Sequence, residues 1–315
     1  MSGLKKFDIC CNSWIKGGVS AAGWKMKMKR KAIKFFIWIV LLFWCSGAYA
    51  IDTDENEIIL GLDDVPYLTK IYTCQELENC TKLSLIGVEY ESNAFDVTKL
   101  MCMPNIEELY VEKGAYLEDY SKLSAFQKLR ALSLSEQNLS DISFISSLKN
   151  LEEIDFSHNS IQDITPIGKL SHLRDINLSY NDITDIGALK NETDLIELGL
   201  DYNENISDLS ALISLNKLEV LALSGTNVKD LSPISNLTGI YSLPFAGCRV
   251  EEIACLSELT EMFYLDMRDN EIRNIDAISQ MHELRFLYLA GNPIEDDSAI
   301  YQLEHITPEL TREEP

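Results

Sequence analysis

The chain has 315 residues, 46% of them hydrophobic, and its 50 acidic against 27 basic residues leave a net charge of −23 at neutral pH. Such a surface repels phosphate backbones and argues against nucleic acid as a partner. The imbalance is uneven: nine of the cations fall in residues 1–50, so residues 51–315 carry 18 basic and 49 acidic groups, a net charge of −31.

Near the start, Lys25, Lys27, Lys29, Arg30, Lys31 and Lys34 precede an unbroken apolar run at 35–44, followed by Ser46, Gly47 and Ala48-Tyr49-Ala50. A basic segment, a short apolar segment and a small-residue site predict a secretory signal peptide cut after Ala50. The apolar run is too short for a membrane span, and none is expected after cleavage. Residues 1–24 add no recognisable element, and Met26 or Met28 would start a signal of ordinary length. Residues 1–50 therefore read as a signal peptide with a spurious upstream extension. Cys45 follows Leu42 by three, but Trp44 stands where bacterial lipoprotein signals carry a small residue, which weighs against lipid attachment.

Cleavage would leave Cys74, Cys80, Cys102, Cys248 and Cys255 in an oxidising compartment. Cys74 and Cys80 lie six apart around Leu77, as a cap disulfide or as two buried small hydrophobes. Cys248 could reach Cys255 only if the turn geometry allows. There is no C-x-x-C pair and no cysteine–histidine cluster with zinc spacing, so neither metal nor cofactor is expected.

Residues 51–105 read as an N-terminal cap and irregular first repeat. Leu83/Leu85 and Leu109/Val111 look like strand doublets, with residues 90–97 as an insertion and the acidic segment 51–79 covering the first exposed coil.

From residue 106 to 306 the pattern is regular. An apolar doublet returns at Leu132/Leu134, Ile154/Phe156, Ile176/Leu178, Leu198/Leu200, Leu221/Leu223, Leu243/Phe245, Leu265/Met267 and Leu287/Leu289, in steps of 22 with a single 23. A period in that range marks stacked supersecondary units. The template is clearest at 151–173: L-x-x-I-x-F-x-x-N-x-I-x-x-I-x-x-I-x-x-L-x-x-L. The doublet alternates as a strand does, and the residues after it recur every three positions as a 3₁₀ return requires. One coil cannot bury enough apolar surface to offset its own ordering, so each depends on its neighbours.

Three residues after each doublet runs a polar column: Gln137, Asn159, Asn181, Asn203, Thr226, Cys248, Asn270 and Asn292. An asparagine amide both donates and accepts, so the column is predicted to be a ladder satisfying the backbone of its own coil and the next. A second column, Asp141, Asp163, Asp185, Asp208 and Asp230, continued by Glu252 and Asn274, reads as turn and cap chemistry. One carboxylate per coil is too regular for a compact calcium site. Thr165-Pro166 and Ser232-Pro233 are expected to place a capping hydroxyl before a proline. Three local departures stand out: the extra residue at Asn203-Glu204-Asn205, Glu192 at a core leucine position, and Pro244 inside a strand.

These residues resemble the leucine-rich repeat family, whose signature L-x-x-L-x-L-x-x-N/C is matched at 173–181 and 284–292. The continuation N-x-I-x-D-I-T-P-I at 159–167 is similar to the 22-residue class of bacterial internalins and of phosphatase-regulating eukaryotic proteins. The resemblance implies an α/β solenoid: a curved array with parallel strands on the concave face and short 3₁₀ or helical returns on the convex face. It also implies a protein ligand held on the concave face by the residues flanking each doublet. Those singled out are Glu153, Asp155, His158, Asp175, Tyr180, Glu197, Asp201 and Tyr202 in an acidic zone, and Tyr264, Arg268, Phe286 and Tyr288 in an aromatic one.

Catalysis finds little support. Of His158, His172, His282 and His305 only His158 belongs to the strand face, and its neighbours Asp155 and Ser157 are too close along one strand to form a relay. Six N-x-S/T sequons, at Asn79, Asn138, Asn177, Asn191, Asn205 and Asn236, arise naturally in such a repeat. Residues 307–315 form an acidic tail. The expectation is an exported, secreted or periplasmic, non-catalytic protein-binding module. The alternative is an intracellular regulatory subunit resembling the phosphatase regulators.

Overall fold

In the computed structural model, which describes residues 56–61, 74–86, 94–112 and 114–303, the first residue of each apolar doublet lies in a short strand. The strands are β1 (Glu57–Gly61), β2 (Lys82–Ile86), β3 (Ala94–Phe95), β4 (Glu108–Val111), β5 (Tyr116–Leu117), β6 (Ala131–Ser133), β7 (Glu153–Asp155), β8 (Asp175–Asn177), β9 (Glu197–Gly199), β10 (Val220–Ala222), β11 (Ser242–Pro244), β12 (Tyr264–Asp266) and β13 (Phe286–Tyr288). All but β3 and β5 join one open parallel sheet of 11 strands in chain order, and β3 and β5 pair in a small sheet of their own. The proposed signal peptide and the tail lie outside the described residues.

Register follows the doublets. Leu83 aligns with Leu109, Leu109 with Leu132, and the line continues through Ile154, Ile176, Leu198, Leu221, Leu243 and Leu265 to Leu287. Between β10 and β11 a single pair, Val220 with Ser242, carries the register. Each chain returns through a 3₁₀ segment, for example Ile167–Lys169 or Ser210–Leu212. Strands lie about 4.7–4.9 Å apart, closer than segments packing through side chains, so the sheet takes the inner, concave side. One continuous apolar core fills the coils, with Ile161, Ile164, Ile167, Leu170 and Leu173 all buried. N-terminally the sheet extends through β1, followed by helix α1 (Cys74–Asn79).

The amide ladder is explicit. Asn181 Oδ1 accepts from Ile161 N (2.9 Å), while its Nδ2 donates to the carbonyls of Phe156 and Leu178 (both 2.9 Å). Asn159, Asn203, Asn270 and Asn292 repeat this cross-coil scheme. Gln137 receives rather than extends it, its N–H bonding Asn159 Oδ1 at 3.0 Å. Thr226 is too short to reach back to the preceding coil, although its Oγ1 meets Cys248 Sγ of the next one at 3.4 Å. Its Oγ1 donates to Leu223 O (2.7 Å), and the Ile206 amide turns instead to Asn203 O within its own coil, where the extra residue sits. Cys248 bridges weakly, its Sγ reaching Leu223 O at 3.1 Å.

Caps differ from expectation. The hydroxyls before Pro166 and Pro233 do not cap; the carboxylate column does. Asp163 accepts from Thr165 N, Asp185 from Gly187 N, Asp208 from Ser210 N and Asp230 from Ser232 N at 2.7–2.8 Å, and Asp141 and Asn274 do likewise. A side chain two residues back reaches the free N–H of the turn directly, whereas the Ile167 and Ile234 amides that a hydroxyl before the proline would cap already donate to Ile164 O and Leu231 O. These backbone bonds hold the carboxyls of Asp163 and Asp230 below their usual range.

The proposed Cys74–Cys80 disulfide is not formed: both are free thiols, Cys74 exposed and Cys80 buried. Six residues of helix advance by roughly 9 Å and turn the second side chain away from the first, beyond disulfide reach. Cys80 points inward, its Sγ donates to Lys82 O, and burial pushes its thiol up to about 11. Cys248 and Cys255 are likewise free. Pro244 lacks a donor, yet its carbonyl still accepts from Leu223 N at 2.8 Å, so the strand keeps its three residues and only its pairing with β10 is reduced.

Candidate functional site

On the strand face, side chains leave the sheet in columns, because equivalent residues of successive coils are in register. The first column runs Ala131, Glu153, Asp175, Glu197, Val220, Ser242, Tyr264 and Phe286. Glu153 lies opposite Asp175, and Asp175 opposite Glu197. Like charges on adjacent strands repel. Partial burial, then Asp175, Glu108 and Glu152, raise the Glu153 carboxyl above its usual range. Asp155, one column over, spends an oxygen on Ser157 N at 3.0 Å.

A fourth column, just before the ladder, holds a different conformation. Glu136, His158, Tyr180, Tyr202, Gly225, Gly247, Asp269 and Gly291 all have positive φ. Each coil needs one left-handed residue to turn from strand to ladder, and glycine adopts it at no steric cost. Bulky residues there are strained by about 1–3 kcal/mol. His158, Tyr180 and Tyr202 occupy it nonetheless and stack, with ring centroids 4.1 Å apart for the first pair and 4.4 Å for the second. Tyr180 and Tyr202 stay 42% and 48% exposed, so packing does not explain them. The Tyr202 ring lies across the next coil over Gly225, where an added Cβ would sit 2.7 Å from Tyr202 Cδ1.

At the far end of the sheet Tyr264, Phe286 and Tyr288 gather, with centroids 5.7–6.2 Å apart from Tyr264 to the other two, and Phe263 meets Phe286 edge-on at 5.5 Å. Arg268 grips Asp266 through Nε (3.0 Å) and Nη2 (2.7 Å), and its guanidinium lies 5.2 Å from the Tyr288 ring centre. The twelve residues singled out from sequence thus fall into two groups on one face, Arg268 locked to its own strand. Sequence reasoning missed what lies between. Gly199, Ala222, Pro244 and Ala246 are small, and Val220, Ala222 and Ser242 are buried although they belong to the strand face. It also missed buried Tyr241, whose hydroxyl is raised by burial and by Glu197 and Glu219. The column preceding the first, ending Glu219, Tyr241, Phe263 and Arg285, was the available signal. Among the described residues no cluster of His, Cys, Asp and Glu could hold a metal ion, and no helix is long and apolar enough to cross a membrane.

The family model "Leucine Rich repeats (2 copies)" matches residues 127–169 and 149–191, over the coils of Asn159 and Asn181. The fold is that of a leucine-rich repeat solenoid. Its repeats resemble those of internalins. An internalin (InlF) from Listeria monocytogenes strain 4b F2365 is 27% identical with a TM-score of 0.68, over 74% of this chain and 68% of that one. Internalin C2 from the same strain is 26% identical with a TM-score of 0.56, over 58% of this chain and 81% of that one. A plant peptide hormone receptor, RGFR1, solved in complex with RGF2, shares the fold at 19% identity and a TM-score of 0.56. The leucine-rich repeat chain aligns over 74% of its length with 44% of that receptor. No curated protein sequence matches it.

Proposed function

We propose that this protein is an exported, non-catalytic binding module that grips a protein partner on the strand face of its solenoid. One observation carries the reading: an exposed His158–Tyr180–Tyr202 stack, held in a conformation that glycine would adopt more cheaply, flanks an unbroken acidic row. Strain without compensating burial is maintained for what the rings present to solvent. Exposed aromatics rimmed by charge have the composition of a protein interface. The likeness to internalins and to a receptor solved with its ligand supports the same reading. His158 stacks on Tyr180, which favours a binding role over proton transfer.

The face is tested by charge reversal. For a partner recovered by crosslinking to the wild-type chain, Glu153→Lys, Asp155→Lys and Asp175→Lys together are expected to weaken binding by at least about tenfold, more at low salt. Unchanged affinity would reject this face. Export, to the periplasm or the medium, rests on the segment at 25–50. N-terminal sequencing of the mature protein is expected to read from Ile51, and an uncleaved chain in the cytoplasm would favour a regulatory subunit instead.

A further inference from the structure

Between the two aromatic groups one carboxylate lacks what its counterpart has. Asp266 is 4% exposed and is neutralised by the bidentate Arg268 guanidinium, itself set against Tyr288. Asp201 stands two strands of small residues away, on β9's exit, beside Tyr202. Its Oδ1 accepts from Ser224 N at 2.7 Å, and Ser224 is its hydrogen-bonding partner among the described residues. No cation lies within ion-pair distance of it there. Burial, reinforced by the field of Asp266, pushes its carboxyl up to about 6. Asp201 in turn acts on the Tyr264 hydroxyl across the strand face.

The floor is built small. Gly199 makes room for Asn177 Oδ1 and Ser179 Oγ, which a Cβ would meet at 2.8 and 3.0 Å. Ala222 and Ser242 are fully buried on the strand face, and Ser242 Oγ has no hydrogen-bond partner. An unpaired, partly desolvated carboxylate beside an exposed ring selects a planar, weakly hydrated cation over a compact, strongly hydrated one.

Resting on the reading of the strand face as the binding surface, we propose that Asp201 is the docking point for an arginine side chain of the partner protein. Its guanidinium sits against the carboxylate and the Tyr202 ring. The protein's own Arg268–Asp266–Tyr288 arrangement is the internal template for that contact. The strong negative charge of residues 51–315 draws such a segment in.

The test uses the full chain with ¹⁵N-labelled serine and three short glycine-serine peptides that differ at one position, carrying arginine, lysine or the neutral isostere citrulline. The arginine peptide is expected to move the Ser224 amide resonance saturably, the lysine peptide to bind several-fold more weakly, and the citrulline peptide to leave it unmoved. Asp201→Asn, which retains an oxygen for the Ser224 N–H, should weaken the arginine peptide by at least about tenfold. Thermal unfolding of the variant confirms that it folds. Equal shifts from arginine and citrulline, or an unaltered affinity in Asp201→Asn, would overturn the site. So would concentration-dependent self-association that Asp201→Asn abolishes, since the occupant would then be a second copy. The two readings fail separately. A partner released by the triple charge reversal yet retained by Asp201→Asn leaves the face standing and removes only the arginine site.

Discussion

Glu192→Leu is expected to raise the unfolding free energy by about 4 kcal/mol at pH 8. Glu192 occupies the position filled by Leu170 and Leu215 in the neighbouring coils, 2% exposed, and neither carboxylate oxygen has a hydrogen-bond partner. Its amide and carbonyl complete the return segment, bonding Leu189 O and Leu195 N, so the backbone is held while the charge is not. Burial, then repulsion from Asp194, pushes the carboxyl from 4.5 up to about 7. The folded state therefore keeps a proton that the unfolded chain releases. Glu192 destabilises little below pH 4.5, its burden grows between 4.5 and about 7 at about 1.4 kcal/mol per pH unit, and it levels off above that. Urea denaturation of wild type and Glu192→Leu across that range isolates the effect from the other carboxylates. The gain should shrink to about 1 kcal/mol at pH 4, where the proton is present in both states. A gain independent of pH would mean that the charge is not the cause.

Asn203→Ala is expected to act in the opposite direction, lowering stability by about 3–5 kcal/mol. Asn203 is fully buried, its Oδ1 accepts from Ile183 N at 3.0 Å, and its Nδ2 donates to Leu178 O at 2.9 Å and Leu200 O at 3.0 Å. Truncation leaves a buried donor, Ile183 N, and a buried acceptor, Leu200 O, without partners in two coils at once, and leaves Leu178 O with the Asn181 amide alone. Thr226→Ala should cost only about 1 kcal/mol, because Thr226 Oγ1 bonds mainly Leu223 O. Hydrogen exchange gives the local signature: the Ile183 amide should lose protection in Asn203→Ala well before distant coils do. Protection preserved at Ile183 would show that the amide ladder is dispensable.

Much of the architecture was legible because the repeat writes the core directly. A doublet every 22 residues fixed which side chains point inward at Ile154, Ile176 and Leu198, and strand register could only follow. The asparagine column was equally readable, since one residue type at one position in each coil has few physical explanations. The candidate surface was half readable. Tyr180 and Tyr202 sit at equivalent positions, and so does His158, but the left-handed turn that lays these rings flat on one another depends on backbone torsions that no residue spacing encodes. The pairing of Arg268 with Asp266 and the absence of a cation at Asp201 among the described residues depend on rotamers across several strands. Cys74 and Cys80 misled for a related reason: six residues place them close in sequence, and the helix between them turns one out and the other in.

The left-handed slot before each ladder residue also separates two demands that most positions must satisfy together. Its side chain leaves the coil altogether, so glycine at 225, tyrosine at 202, histidine at 158 and aspartate at 269 all close the same turn. Folding asks only that the torsion be tolerated; recognition reads the side chain. Drift at this slot rewrites what the molecule displays to its surroundings while the interior is inherited unaltered.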